Sequence, residues 1–215
     1  MNFLSWFRND RVWDMAAVDK PWGSRPSIYE HIHSHIVPGE DGLSEGGDDL
    51  PDSGESETGG LKWVSGGLDG TFGHHGGMGN GEEAARKVLG RIKKVLRNPS
   101  DRNVENLYEA LKAGGALQLV DPLLAMTVKD RGIDGHRLRD LCRWLATGAA
   151  DREAVKIAIS FLGLITGNKD RGVILDLARH EEFTLFCVVA ITNQEENPDR
   201  SLWGIAKHVR GWGRI

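Results

Sequence analysis

With only two cysteines in 215 residues, Cys142 and Cys187, the chain has no disulfide framework and no cysteine-rich metal site. Both lie in apolar helical patterns and read as small buried hydrophobes. Long apolar runs are missing as well. No stretch approaches the roughly 18 residues a membrane span needs, so no membrane partner is expected. The apolar start, Met1-Asn-Phe-Leu-Ser-Trp-Phe-Arg8, is cut short of a signal-peptide core by Arg8 and Asp10, which makes the cytoplasm the expected location. Basic side chains are scarce in one zone. Residues 1–82 carry 5 basic and 14 acidic groups, whereas residues 83–215 carry 22 and 17. The overall charge of −4 thus hides a division into −9 and +5. A positive excess of that size does not by itself indicate nucleic acid. It suits an acidic arm of the same chain or a solvated surface equally well.

The first zone, residues 1–82, also lacks periodicity and reads as an irregular N-terminal arm. One short helix is expected at about residues 27–37. Ser27-Ile-Tyr-Glu30 forms a capping box, Ile28, Ile32 and Ile36 recur at i, i+4, i+8, and Pro38-Gly39 stops the run. From Glu40 to Gly60 there are eight acidic residues and no basic one, which predicts an extended or mobile loop. From Ser65 to Gly81 glycine is too dense for a regular element.

What is present from residue 83 onward is helix after helix. Ala84, Ala85, Val88, Leu89, Ile92, Val95 and Leu96 mark one face, ended by Asn98-Pro99, and Val104, Leu107, Tyr108 and Leu111 mark the next, ended by Gly114-Gly115. Asp121-Pro122 predicts a cap followed by proline at the first helical position. Leu138, Leu141, Cys142 and Leu145 form a fourth stripe with Trp144 at its border, and Asp151 caps a fifth helix closed by Gly167. Further helices are expected over Val173 to His180, from Glu182 to about Asn193, and between Asn197-Pro198 and Gly211. Centres recur about every 16 residues with short links, the spacing of antiparallel neighbours stacked in order. Residues 83–215 are therefore expected to form an all-α, HEAT- or armadillo-like stack of antiparallel helix pairs. Self-similarity between pairs is weak, so a closed irregular bundle stays open. The apolar end, Trp212-Gly-Arg-Ile215, carries the expectation that the stack continues in a longer parent or is covered by a partner.

Four segments carry a resemblance. They are Pro21-Trp-Gly-Ser-Arg-Pro-Ser-Ile-Tyr-Glu-His-Ile32, Leu68-Asp-Gly-Thr-Phe-Gly-His-His75, Arg179-His-Glu-Glu-Phe-Thr184, and Leu202-Trp-Gly-Ile-Ala with Gly211-Trp-Gly-Arg-Ile215. Together they resemble uncharacterised bacterial HEAT-like proteins. The resemblance implies further helical pairs in a longer parent, and it implies no reaction and no catalytic residue.

Several patterns invite chemistry. Ser65-Gly-Gly-Leu-Asp-Gly-Thr71 is similar to the SGGxDS loop of ATP pyrophosphatases, although Gly70 stands where the second serine belongs and no helix follows to hold a phosphate. His31 and His35 are spaced to grip zinc from one helical face, with His33 pointing elsewhere, but no cysteine or carboxylate completes the set; His74-His75 lie in the glycine-rich stretch. His180-Glu181-Glu182 offers an acid/base pair, but Glu182 also suits the first turn of a helix. Asp52-Ser53-Gly54-Glu55-Ser56 resembles a phosphodegron inside a solvated acidic loop. Trp203 and Trp212, near Lys207, His208, Arg210 and Arg214, are placed to stack bases or, as is usual in a helical repeat, to pack. No catalytic, cofactor-binding or metal-binding residue is assigned. The expected function is a cytoplasmic module that binds a protein partner. A nucleic-acid-binding stack and an ATP-using enzyme at Ser65–Thr71 are the alternatives.

Overall fold

A computed structural model describes residues 13–53, 79–165 and 168–214, and among these it contains nine α-helices and no strand. They are α1 Ile28–Ser34, α2 Gly79–Arg97, α3 Asp101–Ala113, α4 Ala116–Lys129, α5 Gly135–Gly148, α6 Arg152–Leu164, α7 Arg171–Leu177, α8 Glu181–Gln194 and α9 Asp199–His208. Short 3-10 turns occupy Met15–Ala17, Asn168–Asp170 and Gly211–Arg214. None of the described helices is long and apolar enough to cross a membrane.

The periodic stripes become the core. Val88, Ile92 and Val95 of α2, Leu107 and Leu111 of α3, and Leu138, Leu141 and Cys142 of α5 are buried together. At the centre lies α6, where every residue from Ala154 to Gly163 is buried. Helices α2, α4, α6 and α8 form a row in which each packs on the next. Along it, α3 lies on α2 and α6, α5 on α6, and α7 on α8, while α1 fits between α5 and α7. Gly163 lets α6 and α8 approach closely: a β-carbon there would stand 2.5 Å from the Cα of Ala190 in α8.

Three local expectations give way to long-range contacts. Pro122 does not open a helix; α4 starts six residues earlier and carries Pro122 in its interior. The start is fixed from a distance, because the amide of Ala116 donates to Glu153 Oε2 of α6 at 2.6 Å. Proline frees the carbonyl of Gln118 four residues back, and Gly81 of α2 lies against it, a β-carbon there being only 3.0 Å from that oxygen. Asp151 occupies the N-cap position of α6 but makes no side-chain cap bond. Its carboxylate accepts from Arg25 at 2.9 and 2.6 Å and from the Tyr108 hydroxyl at 2.6 Å. The amide of Arg152 is capped by Asp52 instead, at 2.8 Å. Lastly, α2 begins at Gly79, so the end of the glycine-rich stretch supplies its first turn.

Residues 13–53 run across the helices as a packed strap. Trp22 is buried between Tyr108 and Trp144, with ring centroids 5.2 and 4.5 Å away. Ser27 caps α1 as the capping box predicts, accepting from the Glu30 amide at 3.2 Å. The acidic loop is neither extended nor free over residues 40–53. Gly39, Gly42 and Gly46, at φ of 86°, 78° and 84°, fold it into successive turns that bury Leu43 and Leu50. Residues 54–60 lie outside the described residues.

Candidate functional site

The strap and the helices meet in a chain of charges at the N-terminus of α6. The Arg152 guanidinium embraces the Asp52 carboxylate, with Nη2 2.7 Å from Oδ1 and Nε 3.0 Å from Oδ2, and Nη2 also donates to Ser53 Oγ at 2.7 Å. One turn on, the Lys156 ammonium, only 2 % exposed, is 2.8 Å from Glu153 Oε1 and 2.5 Å from Glu182 Oε1. It also lies 5.7 Å from the centre of the Phe186 ring. Burial opposes the charge on Lys156, but Glu182 and Glu153 outweigh it and raise the pKa above its ordinary value. Such a buried chain of ion pairs has the character of a structural bolt rather than a reactive centre.

The histidine-glutamate motif belongs to this bolt. His180 is the N-cap of α8; its Nδ1 accepts from the Glu182 amide at 3.1 Å and its Nε2 is 3.2 Å from the carbonyl of Asp48. This pattern requires a neutral imidazole, with the proton on Nε2, and burial lowers its pKa accordingly. The paired acid/base reading thus gives way to capping. A lone lysine in the apolar run of α6 was the sequence signal for the buried pair, and it was missed.

The other candidates fall apart in space. The His31 and His35 rings lie 4.5 Å apart and tilted by 44°, but the His35 Nδ1 is spent on the carbonyl of His31 at 2.8 Å. No group of three or more potential metal ligands exists among the described residues. His33 turns away, as expected for a helix, to Asp176 Oδ2 at 2.9 Å, where the Tyr29 hydroxyl also donates at 3.1 Å. Cys142 and Cys187 are buried free thiols whose pKa is pushed up by burial. Trp203 does not pack inward; it is 67 % exposed, because Ile205 and Val209 supply the buried face of this end of the chain. Ser65–Thr71 and His74-His75 lie outside the described residues, as do residues 54–56 of the Asp52–Ser56 pattern.

Two surface features remain. Helix α8 is apolar on nearly every side, and Leu185 and Val189, one turn apart on its outer face, are 55 % and 47 % exposed. Between α7 and α9 opens a cleft of about 380 Å³, with Arg171, Arg179, Arg200 and His208 on its walls. The strap borders it. His208 Nδ1 lies 3.3 Å from Asp41 Oδ1, close enough for an ion pair but poorly aligned for a hydrogen bond, and Arg210 Nη2 donates to the carbonyl of Asp41.

No family model, curated protein or solved structure matches the chain. Its function has to be argued from these two surfaces.

Proposed function

We propose that the chain is a helical-repeat interaction module of HEAT or armadillo type, and that it binds a protein partner through the outer face of α8. The repeat reading is supported by the row of alternate helices, α2 on α4 on α6 on α8, with intervening helices laid along it. The binding reading rests on one observation: α8, the last helix of that row among those described, keeps Leu185 and Val189 in solvent at i, i+4 spacing. Isolated exposed apolar side chains are common, but a pair at helical spacing on a largely apolar helix is how a groove-and-helix contact begins.

The test compares the intact chain with a Leu185→Asp/Val189→Asp variant as bait in native cells, after matching their urea unfolding curves. A stoichiometric protein held at moderate salt by the wild type and lost from the variant is the expected result. Equal retention by both baits would overturn the assignment of the face. Recovery of nucleic acid that dissociates steeply with salt would replace the protein partner by the nucleic-acid alternative.

A further inference from the structure

The α7–α9 cleft combines positive charge that is only partly paired with space that packing does not explain. Arg171 is held in place by Glu195 Oε1 at 2.8 Å and Ser201 Oγ at 2.8 Å, which occupy Nε and Nη2 and leave Nη1 without a partner among the described residues. Arg179 touches only the carbonyl of Glu40, at a long 3.5 Å. Arg200 has no hydrogen-bond or ion-pair partner among the described residues. The single carboxylate on the walls, Asp176, is already engaged by Tyr29 and His33. Of the three guanidiniums that line the cleft, Arg171 is paired with Glu195, whereas Arg179 and Arg200 have no carboxylate partner among the described residues.

The glycines carry the second part. Gly172 of α7 and Gly204 of α9 both line the cleft, and a β-carbon at either would meet nothing within 4 Å. Neither has a positive φ. Gly204 sits inside α9, where glycine costs about 1 kcal/mol relative to alanine. Close contacts explain the helical glycines Gly148 and Gly163, which meet Trp22 and Ala190, whereas Gly90 of α2, like Gly204, meets nothing within 4 Å. At Gly204 neither backbone conformation nor contact explains the residue, and its effect is to keep the floor of the cleft bare beside the apolar walls of Leu175 and Ile205.

We propose that this cleft binds a phosphate monoester, with the phosphoryl group held by Arg171, Arg179 and Arg200 and the organic part laid over Gly204 against Leu175 and Ile205. Guanidinium forks match phosphate oxygens geometrically, and a doubly charged group answers several of them at once. A space of about 380 Å³ lies at the small end of ligand sites, which suits a compact ester.

Calorimetric titration of the full chain with phenyl phosphate, inorganic phosphate, sulfate and succinate tests the site. Saturable binding of phenyl phosphate is expected, at least about tenfold tighter than inorganic phosphate or succinate. Arg200→Ala, at an exposed position, should weaken it by about tenfold or more, and Gly204→Leu should abolish it without lowering the unfolding midpoint. No saturable heat up to about 10 mM phenyl phosphate would overturn the proposal, as would unchanged affinity in both variants. Equal binding of all four anions would reduce the cleft to a surface that merely screens charge. Co-sedimentation with vesicles of phosphatidic acid but not phosphatidylcholine, lost in Arg200→Ala, would identify a lipid headgroup as the ester; without it the ester is a soluble one.

Discussion

Lys156→Met removes one charge from the interior and keeps the length of the side chain. In the wild type the ammonium and the Glu182 carboxylate are 2.5 Å apart, and both side chains are buried. Breaking such a pair by deleting one member leaves the other charge in a low-dielectric surround, at a cost of about 3–5 kcal/mol. Arg152 Nη1, 3.8 Å from Glu182 Oε2, supplies partial compensation and places the expected loss near the lower figure. Against a total stability of about 5–15 kcal/mol, that is a large fraction. With a urea m-value of about 2–3 kcal/mol/M, the unfolding midpoint should fall by about 1–1.5 M. The double variant Lys156→Met/Glu182→Met removes both charges and leaves Arg152 its bidentate partner Asp52. It should recover most of the loss, since an apolar replacement of a whole buried pair is often neutral. Equilibrium urea unfolding followed by far-ultraviolet circular dichroism reads both. A single variant that unfolds with the wild type would show that water reaches the ammonium. A double variant no better than the single would show that the two charges are not coupled.

The same substitution should have opposite signs at two glycines. Gly163→Ala pushes a methyl into the backbone of Ala190 and should lower stability by about 1–2 kcal/mol, whereas Gly204→Ala meets open space and should raise it by about 0.5–1 kcal/mol. Thermal unfolding checks both, and matching signs would refute the packing described. Because burial depresses the pKa of His180, the unfolded chain takes up that proton first as pH falls. The stability contributed by the neutral ring is complete above the ordinary value of 6.5 and is lost as pH falls through and below it. His180→Asn keeps a capping acceptor without titrating, so its urea midpoint should fall less than that of the wild type between about pH 7.5 and 5.5; equal falls would count against the neutral cap. Asp52→Ala removes the amide cap and the bidentate partner of Arg152 and should cost about 1.5–3 kcal/mol. Hydrogen exchange should then quicken in residues 40–53 while the amides of α5 keep their protection, and uniform quickening would mean the strap is not separately anchored.

Periodicity made the helices legible. The stripes at Val88, Ile92 and Val95 and at Leu138, Leu141 and Leu145 are buried where a period of 3.6 puts them, and Ser27 accepts the amide its capping box predicts. Legibility failed wherever a cap came from far away in the chain. Nothing near Ala116 announces Glu153, and nothing near Arg152 announces Asp52, so local rules assigned the caps to Asp121 and Asp151. The acidic loop was misread for a related reason. Composition counts its charges, but Leu43 and Leu50 anchor it and glycines in the left-handed region fold it back. The cleft was invisible because Arg171, Arg179 and Arg200 belong to three separate turns, and only the packing of α9 beside α7 brings them together.

The strap has a consequence for how the chain comes to be folded during synthesis. Asp41 meets Arg210 across 169 residues and Tyr29 meets Asp176 across 147. A ribosome adding about 5–20 residues per second needs roughly 8–34 s to span the longer of these intervals. Throughout that time Trp22, Leu43 and Leu50 have been made, but the last of the surfaces that bury the strap have not. The helices, being local, can form as they emerge, and Trp22 can dock once Tyr108 and Trp144 are made, whereas the strap's contacts with Asp176 and Arg210 close last. The turn around Asp41 is then the part of the strap with the longest exposure to chaperones, to proteases and to other copies of itself.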